Sequence, residues 1–189
     1  MAKNPGDTHP LENTWSIWEH RATKNQGDWA GNMQKICTFA TVEDFWAYYN
    51  HIPKPSAIFY DGQTRKRVGD RQLESLSIFK EGINPEWEDP VNAKGGEFSC
   101  RKTFDPVTLD KLWENLLMGI IGETIDWADH ISGARVVDKS KGTRAVYKLE
   151  LWVKSKEMDA NETLKSNMLN VIFDGIEQKL MVDFEWKKH

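Results

Sequence analysis

Nine tryptophans among 189 residues constrain this chain more than any other feature it carries. They are Trp15, Trp18, Trp29, Trp46, Trp87, Trp113, Trp127, Trp152 and Trp186. A domain of this size must bury several indoles, because an indole idle at the surface exposes a large apolar area. Those that stay outside need a reason. Tryptophan is the best side chain for stacking on a flat or cationic ring, and proteins that grip single-stranded bases use such aromatic platforms.

The length suits one domain with a substantial core. A hydrophobic content of 39% and a charged content of 29% fit an ordinary globular chain. No apolar run approaches the roughly 20 residues of a membrane helix. The segment Met1–Leu11 is too polar for a secretory signal. Cys37 and Cys100 lie in strand-like segments outside any CxxC pattern, so they read as buried thiols in a reducing, intracellular compartment. The net charge of −4 argues against a non-specific nucleic-acid binder. Charge is uneven, however. Between Arg135 and Glu157 seven Lys/Arg face three Asp/Glu, a local patch that suits a small anionic ligand.

Residues 1–13 read as a polar arm and 14–189 as one domain. Strands are expected at Trp15–Glu19, Met33–Ala40, Leu76–Phe79, Phe98–Thr103, Arg135–Lys139, Arg144–Val153 and Lys179–Phe184. Ser140-Lys141-Gly142 would turn a hairpin. Thr41, with Asp44 three positions on, marks a helix start in a capping-box arrangement, and that helix ends before Pro53. Asp105-Pro106 opens a second helix, which Gly122 closes. Glu162–Phe173 is a third. Residues 53–72 lack sustained periodicity and form a long loop carrying Arg65-Lys66-Arg67, with Ile58-Phe59-Tyr60 able to dock locally. The pattern predicts an α+β fold: one curved antiparallel sheet with about three helices on one face.

Trp87-Glu88-Asp89 falls in a loop between two strands. A carboxylate beside a stacking ring can read a guanine, accepting from its ring N–H and its exocyclic amine. Methylation of the guanine imidazole makes the base a cation, which two indole faces would hold by cation–π attraction. Trp29 and Trp87 could supply those faces, or could pack as satellite core.

His9-Pro10-Leu11, Trp15, Trp18, Trp29 in DWAGN, TVEDFWAYYNHI, FKEGINPEWED, Gly95-Gly96 and LWENLLMGIIGE occur in that order. Together they resemble the eukaryotic translation initiation factor 4E family, whose members bind the messenger-RNA cap. The resemblance runs from residue 9 to about residue 156. It implies a cupped sheet with the helices on its convex back and the cap in its concave front. It further implies that Trp29 and Trp87 sandwich 7-methylguanine, that Glu88 reads its edge, and that Trp152 touches the methyl group. Lys139 and Lys148 would grip the triphosphate, with Lys141 and Arg144 behind them. Glu150 lies between Lys148 and Trp152 with no assigned part.

On the convex back the resemblance implies a groove for a partner helix, lined by His9, Pro10, Val42, Trp46, Met118 and Gly122. The partner would be the scaffold initiation factor 4G or a 4E-binding protein. Two departures stand out. Glu114-Asn115 follows Trp113 where the family has Leu-Glu, and loop 53–72 is longer than its counterpart. The implied role is cytoplasmic and non-enzymatic: capped mRNA is held and presented to the scaffold for translation initiation, with a cap-sequestering or regulatory isoform as the alternative. No Walker loop, dinucleotide turn or metal-spaced carboxylate cluster points to an enzyme, a metal or a cofactor.

Overall fold

The computed structural model describes residues 8–22, 30–158, 162–176 and 182–189. Among these residues seven strands form one antiparallel sheet: β1 Pro10–Arg21, β2 Met33–Thr41, β3 Leu73–Lys80, β4 Gly96–Lys102, β5 Ile131–Asp138, β6 Tyr147–Val153 and β7 Glu185–Lys188. Their spatial order is β2-β1-β3-β5-β6-β4-β7, so the sheet is open, with β2 and β7 at its edges. Four α-helices among the described residues accompany it: α1 Val42–Tyr49, α2 Pro55–Ile58, α3 Pro106–Ile121 and α4 Glu162–Ile172.

Side-chain alternation divides the sheet into two unlike faces. Trp15, Ile17, Leu76, Ile78, Ala134, Val136, Leu149 and Leu151 point one way into the main core. Leu109, Leu112 and Leu116 of α3, Phe45 and Tyr49 of α1, Ile58 of α2 and Leu164 and Met168 of α4 meet them there. The helices therefore share one side of the sheet. The opposite side carries Arg135, Lys148, Glu150, Glu97 and Trp152, with Phe79, Ile83 and Trp152 as a small second core.

Local chemistry explains the helix ends. The Thr41 hydroxyl accepts from Asp44 N at 3.1 Å, and Asp105 accepts from Thr108 N at 3.0 Å with Pro106 in the first turn. Gly122 caps α3. Cys37 and Cys100 are buried and unbridged. No helix among the described residues is long and apolar enough to cross a membrane.

Three expectations change. Residues 10–13, read as part of a polar arm, belong to β1, and Pro10 registers with Thr41. The last strand among the described residues is Glu185–Lys188; of the strand expected at Lys179–Phe184, residues 182–184 are not in a strand and 179–181 lie outside the described set, and Phe184 is a buried core residue. The loop 53–72 holds a one-turn helix, α2, that its lack of periodicity did not announce, while Ile58, Phe59 and Tyr60 are buried, docked as expected.

Gly95-Gly96 marks where two backbones meet. A Cβ on Gly95 would lie 1.8 Å from Val153 O, and one on Gly96 would lie 2.5 Å from Lys187 O. These approaches let β4 start between β6 and β7. Gly95→Ala is expected to destabilise the fold by about 1–3 kcal/mol through this clash, and thermal unfolding would measure the loss; an unchanged melting temperature would contradict the packing.

Candidate functional site

The loop from β3 to β4 is held by two buried side chains. The Asp89 carboxylate accepts from the backbone N–H of Asn84 and of Val91, both at 2.9 Å. The Asn92 amide donates to Asn84 O at 2.9 Å and to Glu86 O at 3.0 Å. This frame leaves Trp87 and Glu88 at the outer bend, with Trp87 47% exposed and Glu88 exposed. Among the described tryptophans, only Trp127, at 49%, matches that exposure. Trp15, Trp113 and Trp152 are core; Trp18, Trp46 and Trp186 are half-buried. Trp29 lies outside the described residues.

Beneath Trp87 lies a cavity of about 290 Å³, lined by Pro85, Glu86, Trp87, Glu88, Arg135, Lys139 and Trp152. Behind its lining residues Arg135 and Trp152 lies an ionic lattice. Glu150, with no exposed surface, accepts from Arg135 Nε at 2.8 Å and from Trp152 Nε1 at 2.8 Å. It also pairs with Lys148 Nζ at 2.8 Å. Lys148 bonds the equally buried Glu97 as well. The Arg135 guanidinium stands 5.3 Å from the Trp152 ring centroid, and Phe79 meets that ring edge-on at 5.3 Å. Two cations and two carboxylates thus cancel, which is the condition for burying them.

Lys148, expected at the phosphates, is therefore engaged with Glu97 and Glu150. Trp152 lines the cavity, yet its ring is fully buried. Lys139 is on the cavity wall. Desolvation there, followed by repulsion from Arg135, lowers its pKa, and an incoming anion would relieve that repulsion. Lys141 and Arg144 pair backbone to backbone at the hairpin tip and are not among the lining residues.

The sequence reading missed Arg135, the Asp89–Asn92 frame and the contribution of β7. Lys187 Nζ lies 4.7 Å from the Trp87 ring centroid, and the His189 ring lies near-parallel to Trp87 at 6.3 Å. The His189 ring is also 4.2 Å from Trp152, and its Nδ1 is 3.0 Å from Asn92 O. The one hint in the sequence was a tryptophan followed by two lysines and a histidine.

On the other side of the molecule, Glu43 binds His9 through both its backbone N–H, at 2.9 Å, and its Nδ1, at 2.6 Å. Val42 N donates to His9 O at 2.9 Å. His9 and Pro10 are thus tied to the first turn of α1. Trp46 meets Phe45 and Tyr49 edge-on at 5.1 and 5.9 Å. Val42 and Met118 are each 37% exposed, and Gly122 ends α3 beyond Met118. Asn115 turns inward, where its amide donates to Ile172 O and Asp174 O, both at 2.9 Å. Glu114 faces Lys54 at 3.4 Å and Lys111 at 3.6 Å.

The sequence profile described as Eukaryotic initiation factor 4E matches residues 10–189. This chain belongs to that family. It is 37% identical over 162 residues to eukaryotic translation initiation factor 4E-1 of Arachis hypogaea, covering 85% of this chain and 61% of that one. It is 34% identical over 183 residues to eukaryotic translation initiation factor 4E of Aplysia californica, covering 94% and 75%. The chain spans about three-fifths of the length of the plant relatives it matches (61% and 62%). Among solved structures, the complex of C. elegans eIF4E-3 with the 4E-binding protein Mextli superposes with a TM-score of 0.78 at 28% identity, covering 97% and 94% of the two chains. Ascaris suum eIF4E-3 with m7G cap gives 0.71 at 32% identity, covering 88% and 85%. The open sheet with its helices is the cupped sheet of that fold.

Two titrations tie this site to stability. Burial, then Arg135 and Lys139, lowers the His20 pKa to about 4. For Glu97, burial raises the pKa but the contacts to His189 and Lys148 outweigh it, leaving it at about 2. Both folded-state values lie below the unfolded ones, so both groups stabilise at neutral pH and lose that contribution as pH falls. His20 acts between about pH 6.5 and 4 and Glu97 between about pH 4.5 and 2. The melting temperature should therefore drop in two overlapping stages on acidification, with His20→Gln flattening the upper stage alone. A flat profile from pH 7 to 4 would contradict the buried imidazole.

Proposed function

We propose that this chain binds the 7-methylguanosine cap of mRNA, without catalysis, and presents it to a scaffold initiation factor in the cytoplasm. The observation that carries the reading is an exposed indole, Trp87, beside the exposed carboxylate Glu88, framed rigidly above a cavity walled by Arg135 and Lys139. Trp87 stacks on one face of the cationic base and Trp29 on the other. Glu88 accepts from the guanine edge, and the backbone N–H of Trp87 donates to the guanine carbonyl. Lys139 receives the first phosphates. Lys187, already over the Trp87 ring, is the cation that an incoming methylated base must replace or sit opposite.

Selectivity for the methylated base is electrostatic. A desolvated cation–π contact is worth about 2 kcal/mol, so losing two on going to GTP costs about 10²- to 10³-fold in affinity. Titration followed by tryptophan fluorescence should show strong quenching by 7-methyl-GTP, far weaker quenching by GTP, and loss of at least about tenfold in Glu88→Ala, since hydrogen bonds to a charged group contribute roughly 1.5–3 kcal/mol. Equal affinity for the two nucleotides would sink the reading.

His9, Pro10, Val42, Trp46, Met118 and Gly122 form the apolar seat for a partner helix on the back. Val42→Glu and Trp46→Ala should each weaken a 4G-like or 4E-binding-protein peptide by about tenfold or more, with 7-methyl-GTP quenching retained. A second reading, cap sequestration with altered partner choice, is favoured by Asn115, whose amide is committed to the end of α4. A partner that pairs an arginine with an acid at that position would then bind poorly. Recovery of a scaffold factor through Trp46 at full affinity would count against this second reading.

A further inference from the structure

The cavity wall continues past Lys139 into a cationic surface that extends beyond the residues implied for the cap triphosphate. Lys139 ends β5, and Arg101 of β4 reaches back to Lys139 O at 3.5 Å. From there the β5–β6 hairpin projects Lys141 and Arg144, both exposed. The long loop docks against this hairpin. Tyr60 N donates to Asp138 at 3.1 Å, Tyr147 Oη donates to Tyr60 O at 2.7 Å, and Gly62 lies beside Thr143 O. The Arg65 guanidinium sits 5.4 Å from the Tyr60 ring centroid, and Arg67 is exposed two positions on.

Not every cation of the loop is available. Lys66 is bound to Ser56 O at 2.6 Å and Asp61 at 3.3 Å, and Arg71 to Glu19 at 3.0 Å; these two hold the loop in place. The remaining cations, Arg65, Arg67 (whose guanidinium also donates to Asp70 O), Arg101, Lys141 and Arg144, are exposed in a chain whose net charge is −4. None of the exposed large hydrophobic residues lies on this surface, so it offers charge without a stacking platform.

We propose that loop 61–72, packed beside the β5–β6 hairpin, carries a second, sequence-independent site for the phosphate backbone of the RNA chain that follows the cap. The inference rests on the cap-binding reading for its direction: the triphosphate leaves the cavity past Lys139, and the cationic surface begins there. Charge complementarity selects a polyanion, and continuity with the cavity selects the RNA joined to the ligand.

The test compares 7-methyl-GTP, a capped 12-nucleotide RNA and the same RNA uncapped, against wild type, Arg65→Gln/Arg67→Gln and Arg65→Glu/Arg67→Glu. Arg65 rests on the Tyr60 ring and Arg67 donates to Asp70 O, both at the exposed surface, so melting temperatures should stay close to wild type. The expected result is that wild type binds capped RNA about five- to tenfold tighter than 7-methyl-GTP at low salt, with an affinity that falls more steeply with salt by about 0.7 log units per log unit for each phosphate contacted. The Gln pair should halve that advantage or more, and the Glu pair should abolish it, with 7-methyl-GTP affinity unchanged and uridine-rich and adenine-rich RNAs alike. Equal affinity of wild type for 7-methyl-GTP and capped RNA would overturn the proposal, as would an advantage that survives the Glu pair. Binding of poly-glutamate as tight as that of RNA, and equally sensitive to the pair, would overturn the choice of RNA. Should 7-methyl-GTP fail to bind, the cap reading falls on its own; weak, variant-sensitive binding of uncapped RNA would still support the loop site, and its absence would overturn both.

Discussion

Glu150 is the charge around which the molecule is arranged. A carboxylate with no exposed surface in the middle of a sheet costs several kcal/mol unless its charge is answered at close range. The strand order answers it. Arg135 is Glu150's register partner on β5, Lys148 and Trp152 flank it on β6, and Glu97 on β4 balances Lys148 from the other side. No single strand could assemble this lattice. Removing any one member would strand a buried charge, so the floor of the cavity is fixed before a ligand arrives. That rigidity suits a site whose task is to hold a flat cation between rings, because preorganised groups lose little entropy on binding.

Above the floor the same economy appears in a loop. Asp89 and Asn92 satisfy four polar contacts of a segment with no strand or α-helix, and this keeps Trp87 exposed without letting it wander. β7 closes the far side and brings Lys187 and His189 to the indoles. The two working faces are thereby separated: the helices bury the apolar side of the sheet, and the polar side is left for chemistry. Loop 53–72 follows the same logic, since its buried anchors Ile58, Phe59 and Tyr60 carry an otherwise polar insertion along the rim.

Much of this was legible in the sequence. The Asp105-Pro106 start, the Thr41 cap and the alternation Lys148-Leu149-Glu150-Leu151-Trp152 each follow from short-range rules, and each is present. Trp87-Glu88 stood out because a large ring next to an acid in a turn-rich segment has little to pack against. What stayed hidden depends on register or on loop geometry. Arg135 reads as one more basic residue until β5 is laid beside β6. Lys148 looks free for phosphate until Glu97 arrives from β4. β7 has no apolar alternation, only Trp186 leaning on Phe98, because an edge strand is held by its neighbour's backbone and not by its own pattern. Asn115 looks like a lost acid on the surface, and only the packing of α3 on α4 shows where its amide goes.

The central claim is that a methylated guanine is held face to face by indoles beside Glu88. Intermolecular nuclear Overhauser effects from the N7-methyl protons of 7-methyl-GTP test it most directly. The account predicts cross-peaks from that methyl group to ring protons of Trp29 and Trp87, with the methyl resonance shifted upfield by the two ring currents. Cross-peaks to Trp127 alone, or a methyl resonance that does not move on binding, would contradict it.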